Sequence, residues 1–118
     1  MKIKINGVEL TYNIYEAEQA ERFENEVTKM AEVDKKVNKA QKLSSKIRTQ
    51  CKAIFNFFDV LFGDGTADAV FGETCDLMQA MTAYTKVIKA ITEDKQIMRS
   101  LKKELESVAA EEPEPQND

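Results

Sequence analysis

Apolar and polar residues alternate at the start of the chain, in Lys2-Ile3-Lys4-Ile5 and again in Val8-Glu9-Leu10-Thr11-Tyr12, on either side of Asn6-Gly7. A period of two flanking an Asn-Gly pair predicts a β-hairpin over residues 2–13, because both residues readily take the positive φ of a two-residue type I′ turn. A lone ribbon is marginal in water, so the face bearing Ile3, Ile5, Val8, Leu10 and Tyr12 is expected to lie on the helices that come after it. The period then changes to three and four. Ala20, Phe23, Val27, Met30, Val33 and Val37 form one stripe of a helix from Glu16 to Gln41. Asn13 is the expected cap, with Glu16 at the capping-box spacing.

Serine side chains compete for backbone hydrogen bonds, so Leu43-Ser44-Ser45 is read as a break. Beyond it Ile47, Cys51, Ile54, Phe55, Phe58, Leu61 and Phe62 predict a second amphipathic helix ending at Gly63. Five of the six phenylalanines and three of the four glycines fall between positions 54 and 72. The core is therefore expected here, dominated by Phe55, Phe58 and Phe62. Phe57 lies off this stripe, and is either covered by the hairpin or left as an exposed anchor for a partner. Thr66 is expected to cap a short helical turn over residues 67–71, closed by Gly72.

The last helix is read from Thr74 to Val108, with neither glycine nor proline inside it. Leu77, Met81, Tyr84, Ile88 and Ile91 form its first stripe; Lys95 interrupts, and Met98, Leu101, Leu105 and Val108 resume it. At 1.5 Å per residue such a helix is about 50 Å long, more than so small a domain can cover. Its second half is thus expected to project or to pair with another chain. The fold class is mainly α: a three-helix core, made of two amphipathic helices and a long C-terminal helix, carrying an N-terminal hairpin. Residues 1–108 read as one domain. Residues 109–118, with two prolines and four acidic groups, read as a disordered acidic tail.

Composition narrows the chemistry. The 118-residue chain has no histidine, which removes the commonest general base and the commonest metal ligand. Its two cysteines, Cys51 and Cys75, form no CxxC pair, and each is read as a small apolar residue in a reducing compartment. If Gly65 were the invariant glycine of a calcium loop, three ligand positions would fall on Val60, Phe62 and Phe71, which carry no side-chain oxygen. No catalytic, cofactor-binding or metal residues are assigned, and an enzyme is disfavoured. A net charge of −4 gives no general drive toward nucleic acid. The one basic run, Lys35, Lys36, Lys39, Lys42, Lys46, Arg48 and Lys52, lacks interleaved aromatics for base stacking. With no apolar leader or membrane-length run, the expected location is the cytoplasm. Phe57, Met78, Met98, Leu101 and Leu105 are the candidate partner-binding residues.

The stretch from Phe57 to Gly72 has the pattern FFD-x-x-FG-x-GT-x-x-x-x-FG, and it resembles a group of small prophage tail-region proteins that share it after a hairpin and an amphipathic helix. The likeness covers most of residues 1–105 and is carried by apolar and glycine positions. Such proteins are similar to the tail assembly chaperones of long-tailed phages. That resemblance implies a non-catalytic helical protein that coats apolar stretches of the tape measure protein during tail morphogenesis. The alternatives are a structural part of the particle, such as a head-tail connector or tail completion protein, and, more remotely, a small nucleic-acid-binding regulator. A homo-oligomer formed through the C-terminal helix is a further possibility; no membrane partner is expected.

Overall fold

The computed structural model describes residues 1–37 and 42–111. Strands β1 (Lys2–Ile5) and β2 (Val8–Thr11) are followed by helices α1 (Ala17–Val37), α2 (Leu43–Phe62), α3 (Thr66–Phe71) and α4 (Leu77–Glu111). The expected mainly helical architecture, with its hairpin and short helical turn, is the one observed. The expected end of α1 at Gln41 falls among residues 38–41, which lie outside the described residues. α4 begins three residues later than the Thr74 start read from the sequence, because Asp76 occupies the capping position. Its carboxylate accepts the Gln79 amide at 3.1 Å and its carbonyl the Ala80 amide at 3.0 Å. The same helix continues through Glu111, into the segment read as tail; residues 112–118 lie outside the described residues.

The hairpin is antiparallel, with Ile3 opposite Leu10 and Ile5 opposite Val8, so all four share one face. Asn6 and Gly7 both have positive φ, at 50° and 81°, as the type I′ turn requires. That face is turned inward: Ile5, Leu10 and Tyr12 are buried, and Ile3 and Val8 pack against the same core. The tip is tied down by Asn6, whose Nδ2 donates to the Val70 carbonyl at 2.8 Å. At the other end Tyr12 donates from its hydroxyl to the Gln19 carbonyl, and its ring meets Phe62 edge-on with centroids 5.8 Å apart.

Asn13 does not cap α1. Its side chain accepts the Tyr15 amide at 3.1 Å and so closes a local turn; Glu16 instead accepts the Gln19 amide at 2.9 Å and serves as the cap.

α2 is the central helix, in contact with α1, α3 and α4. Having neighbours on three sides widens its buried arc, and the core face consists of Cys51, Ile54, Phe57, Phe58 and Leu61. Phe58 is fully buried, as expected, whereas Phe55 and Phe62 are only half-buried at the margins. Phe57 corrects the sequence reading more sharply. It is fully buried, and α4 contributes to its cover, where Tyr84 meets it edge-on at 4.9 Å. It is a core residue and not an exposed anchor. Each of these buried rings contributes about 1.5–3 kcal/mol.

The glycine-rich turn folds α3 back onto this face. Gly63 ends α2 with φ 111°, and Gly65 has φ 90°, a left-handed conformation that β-carbon-bearing residues adopt only at a cost. Phe71 then packs on Phe58 at 5.1 Å and on Phe55 at 4.9 Å. The first turn of α3 is satisfied by Asp59, whose Oδ1 accepts the Ala67 amide at 2.9 Å, while Thr66 donates from its hydroxyl to the Gly63 carbonyl. Asp59 thus links two helices through one carboxylate. Asp59→Ala is expected to lower the unfolding free energy by about 1–2 kcal/mol, as loss of a cap does; equilibrium urea unfolding measures it, and an unchanged midpoint would remove the cap from the account.

Candidate functional site

α4 changes character along its length. In its first half Ala80, Ala83, Val87 and Ile91 are buried, with Leu77, Tyr84 and Ile88 packed partly against the core. The face is rotated from the expected stripe of Leu77, Met81, Tyr84, Ile88 and Ile91, and Met81 is half exposed. Small residues on a packed helix face let neighbouring elements approach closely, and the buried face of α4 carries Ala80 and Ala83 where a larger methionine would hold its neighbours off.

The last covered turn is marked by Asp94. Tyr15 donates from its hydroxyl to the Asp94 carbonyl at 2.8 Å, and the Met1 ammonium lies 2.6 Å from Asp94 Oδ2 while donating to the Tyr12 carbonyl. The ammonium–carboxylate contact is an ion pair without the alignment of a hydrogen bond.

Beyond Asp94 the apolar face continues and its cover stops. Ile97, Met98, Leu101, Leu105 and Val108 are between 50% and 70% exposed. At 3.6 residues per turn, Met98, Leu101, Leu105 and Val108 stand on the same side of α4 as Ala83, Val87 and Ile91. The stripe is therefore the core-facing side of the helix, extended past the core. Ile91, Met98 and Leu105 recur every seven residues, as do Asp94, Leu101 and Val108, which is the spacing of a coiled-coil seam. Lys95 and Lys102 are exposed and border one edge of the stripe, whereas Lys103 stands on the opposite side of α4, with Met78.

The structure brings Met98, Leu101 and Leu105 of the sequence candidates together and separates the other two. Met78 is exposed, yet it points away on the opposite side of α4, about half a turn around. Phe57 is in the core. Ile97 is not among the sequence candidates, although its spacing of four from Leu101 places it beside the stripe.

A second apolar feature is a cleft of about 300 Å³ between α1, α2 and α4, lined by Val27, Met30, Asp34, Ile54, Met81 and Tyr84. Gln50 donates to Asp34 Oδ1 at its edge, at 3.3 Å. On α1, Glu26 is buried and paired with Lys29 at 2.9 Å. Glu26 stands at stripe spacing, three residues after Phe23 and four before Met30, so its position is legible in the sequence and only its charge argues against burial. The basic run makes no single stripe: Lys46 lies about a third of a turn or more from Arg48 and Lys52 around α2. Lys39 lies outside the described residues.

Three acidic protons are held more tightly than usual. Burial pushes the Cys51 thiol up to about 12, helped by the neighbouring Cys75 thiol. Burial raises the Tyr12 hydroxyl as well, and it raises that of Tyr84 with the Asp34 charge adding to the effect. Each group is neutral when protonated, and in the folded chain it keeps its proton at a pH where the unfolded chain has lost it. The resulting stability is complete below the ordinary thiol value of about 8.5 and is lost as pH climbs from there through about 12. The urea midpoint is expected to be flat from pH 7 to about 8.5 and to fall above about 9, with Cys51→Ala reducing the slope. A midpoint that rose over that interval would contradict the assignment.

Among the described residues, no group of His, Cys, Asp and Glu is arranged to hold a metal ion, and no helix is long and apolar enough to cross a membrane. Together these features define a small, mainly helical protein with a hairpin packed on its core and an uncovered apolar face at the end of its longest helix. The chain belongs to DUF6673, a family of unknown function, whose profile matches residues 6–115. No curated protein and no solved structure matches it.

Proposed function

We propose that this protein is a non-catalytic phage tail assembly chaperone, which holds amphipathic helical stretches of the tape measure protein while the tail is built. The observation that carries the reading is the uncovered stripe of Met98, Leu101, Leu105 and Val108, which continues a core-facing surface with coiled-coil spacing beyond the end of the core. An isolated helical segment of this length is marginal in water, so its apolar face calls for a cover. A seven-residue spacing is met by another helix with the same spacing, and Lys95 and Lys102 along one edge of the stripe suit a partner helix bordered by acidic residues. The likeness of residues 57–72 to prophage tail-region proteins supplies the biological setting, and the host cytoplasm is where such a chaperone works.

Co-expression with the tape measure protein of the same prophage, followed by purification through a tag on this chain, tests the reading. A soluble complex is expected, with this chain missing from mass spectra of finished particles. A tape measure protein that remains insoluble and unbound would overturn it, and so would recovery of this chain as a regular constituent of the particle.

A further inference from the structure

Strand β1 and helix α4 leave a groove of about 510 Å³ between them, with the half-buried Ile3 and Ala90 in its lining. β1 contributes Lys2 and Lys4 to it and α4 contributes Lys86 and Lys89, all four exposed. The two pairs are distant in the sequence, and only the packing of β1 on α4 assembles them. Nearby carboxylates leave the cluster largely unbalanced. Among the described residues only Lys2 of the four is paired, with Glu9 at 3.7 Å, and the Asp94 carboxylate in the lining is taken by the Met1 ammonium. Glu93 is the one other carboxylate that lines the groove. A chain of net charge −4 thus gathers a positive excess in one place.

The groove also has a direction. It opens at Ile97, and at 3.6 residues per turn Ala90, Ile97, Leu101 and Val108 share one flank of α4. Stripe and groove therefore make one path along the helix, and the groove is its open continuation where Tyr15 and Met1 close over Asp94. We infer that the groove receives the C-terminal end of the helix bound on the stripe, so that this helix runs antiparallel to α4. The inference rests on the reading of the stripe as the site for a tape measure helix. The last four carbonyls of a helix lack partners within it and carry its partial negative charge, and lysine ammonium groups donate to them. The opposite orientation would set the positive end of the helix against four cations. A helix end supplies only about half a charge, so acidic side chains beside that end complete the balance.

Photo-crosslinking within the co-expressed complex of the full chain and the tape measure protein tests the orientation. Benzoylphenylalanine replaces Lys4 in one variant and Leu105 in another, and the adducts are mapped by mass spectrometry. Both are expected on one tape measure helix, with the adduct from position 4 nearer its C-terminus. The reverse order, or no tape measure adduct from position 4, overturns the inference while leaving the complex itself intact. If the unaltered chain forms no complex, the chaperone reading fails and the orientation falls with it. The double variant Lys86→Glu, Lys89→Glu is expected to weaken the complex about 10-fold, and Lys35→Glu with Lys36→Glu, the same charge change on α1, to leave it nearly unchanged. A groove variant that holds the tape measure protein as before but loses retention on a DNA duplex would assign the lysines to nucleic acid and overturn the inference.

Discussion

Phe58→Ala is expected to lower the unfolding free energy by about 3–5 kcal/mol, which for a chain of this size shifts Tm by about 12–20 °C. The ring is fully buried and touches three others, with centroids 6.0 Å from Phe57, 5.8 Å from Phe62 and 5.1 Å from Phe71. Its removal leaves a void between α2 and α3. α3 cannot readily sink into that void, because its position is fixed by the Gly63–Gly65 turn and by the bonds from Asp59 and Asn6. The penalty therefore includes both the lost transfer energy and an unrelaxed cavity. Val60→Ala, at a position 36% exposed on the same helix, is the control and is expected to cost less than about 1 kcal/mol. Urea denaturation of the two variants measures the contrast. A loss below about 1 kcal/mol for Phe58 would mean that the core is centred elsewhere.

The combined change Met98→Glu, Leu101→Glu and Leu105→Glu is expected to leave Tm within a few degrees of the parent and to weaken capture of the tape measure protein by about 100-fold or more. All three side chains are at least half exposed and lie beyond the last covered turn, so little folded-state packing is lost. In a helix-on-helix interface, however, three carboxylates would be desolvated without partners, at several kcal/mol. Met78→Glu provides the matching control, because Met78 is more exposed yet stands on the opposite side of α4. Quantitative co-purification compares them. If Met78→Glu abolished the complex while the triple variant retained it, the docking face would have been placed on the wrong side.

The hairpin is legible in full because two independent signals agree on it: the alternation that sets its inner face and the Asn-Gly pair that sets its turn. The helices are legible as elements, but their orientation is not. Large apolar residues draw attention to Phe55, Phe62 and Met81, whereas the buried face of α4 includes the small Ala80 and Ala83, and three neighbours around α2 bring Phe57 inside. Spacing reports which residues share a side, not which side receives the most cover. Asp59 and Asn6 escape for another reason: the backbone groups they bond, at Ala67 and Val70, are brought near only by the turn itself. The distal stripe of α4 is visible in the sequence because Met98, Leu101, Leu105 and Val108 keep the spacing of three and four past Asp94.

The hairpin also has a consequence for the order in which the chain matures during synthesis. Asn6 finds its acceptor at Val70, and Tyr15 finds its own at Asp94. The ribbon therefore emerges from the ribosome long before either landing site exists, and a solitary ribbon gains too little from its own pairing to persist. Helices with local contacts form ahead of such distant closures. The hairpin is then translated ahead of the elements it lands on yet settles after them, and completion of the core waits until α4 has been made.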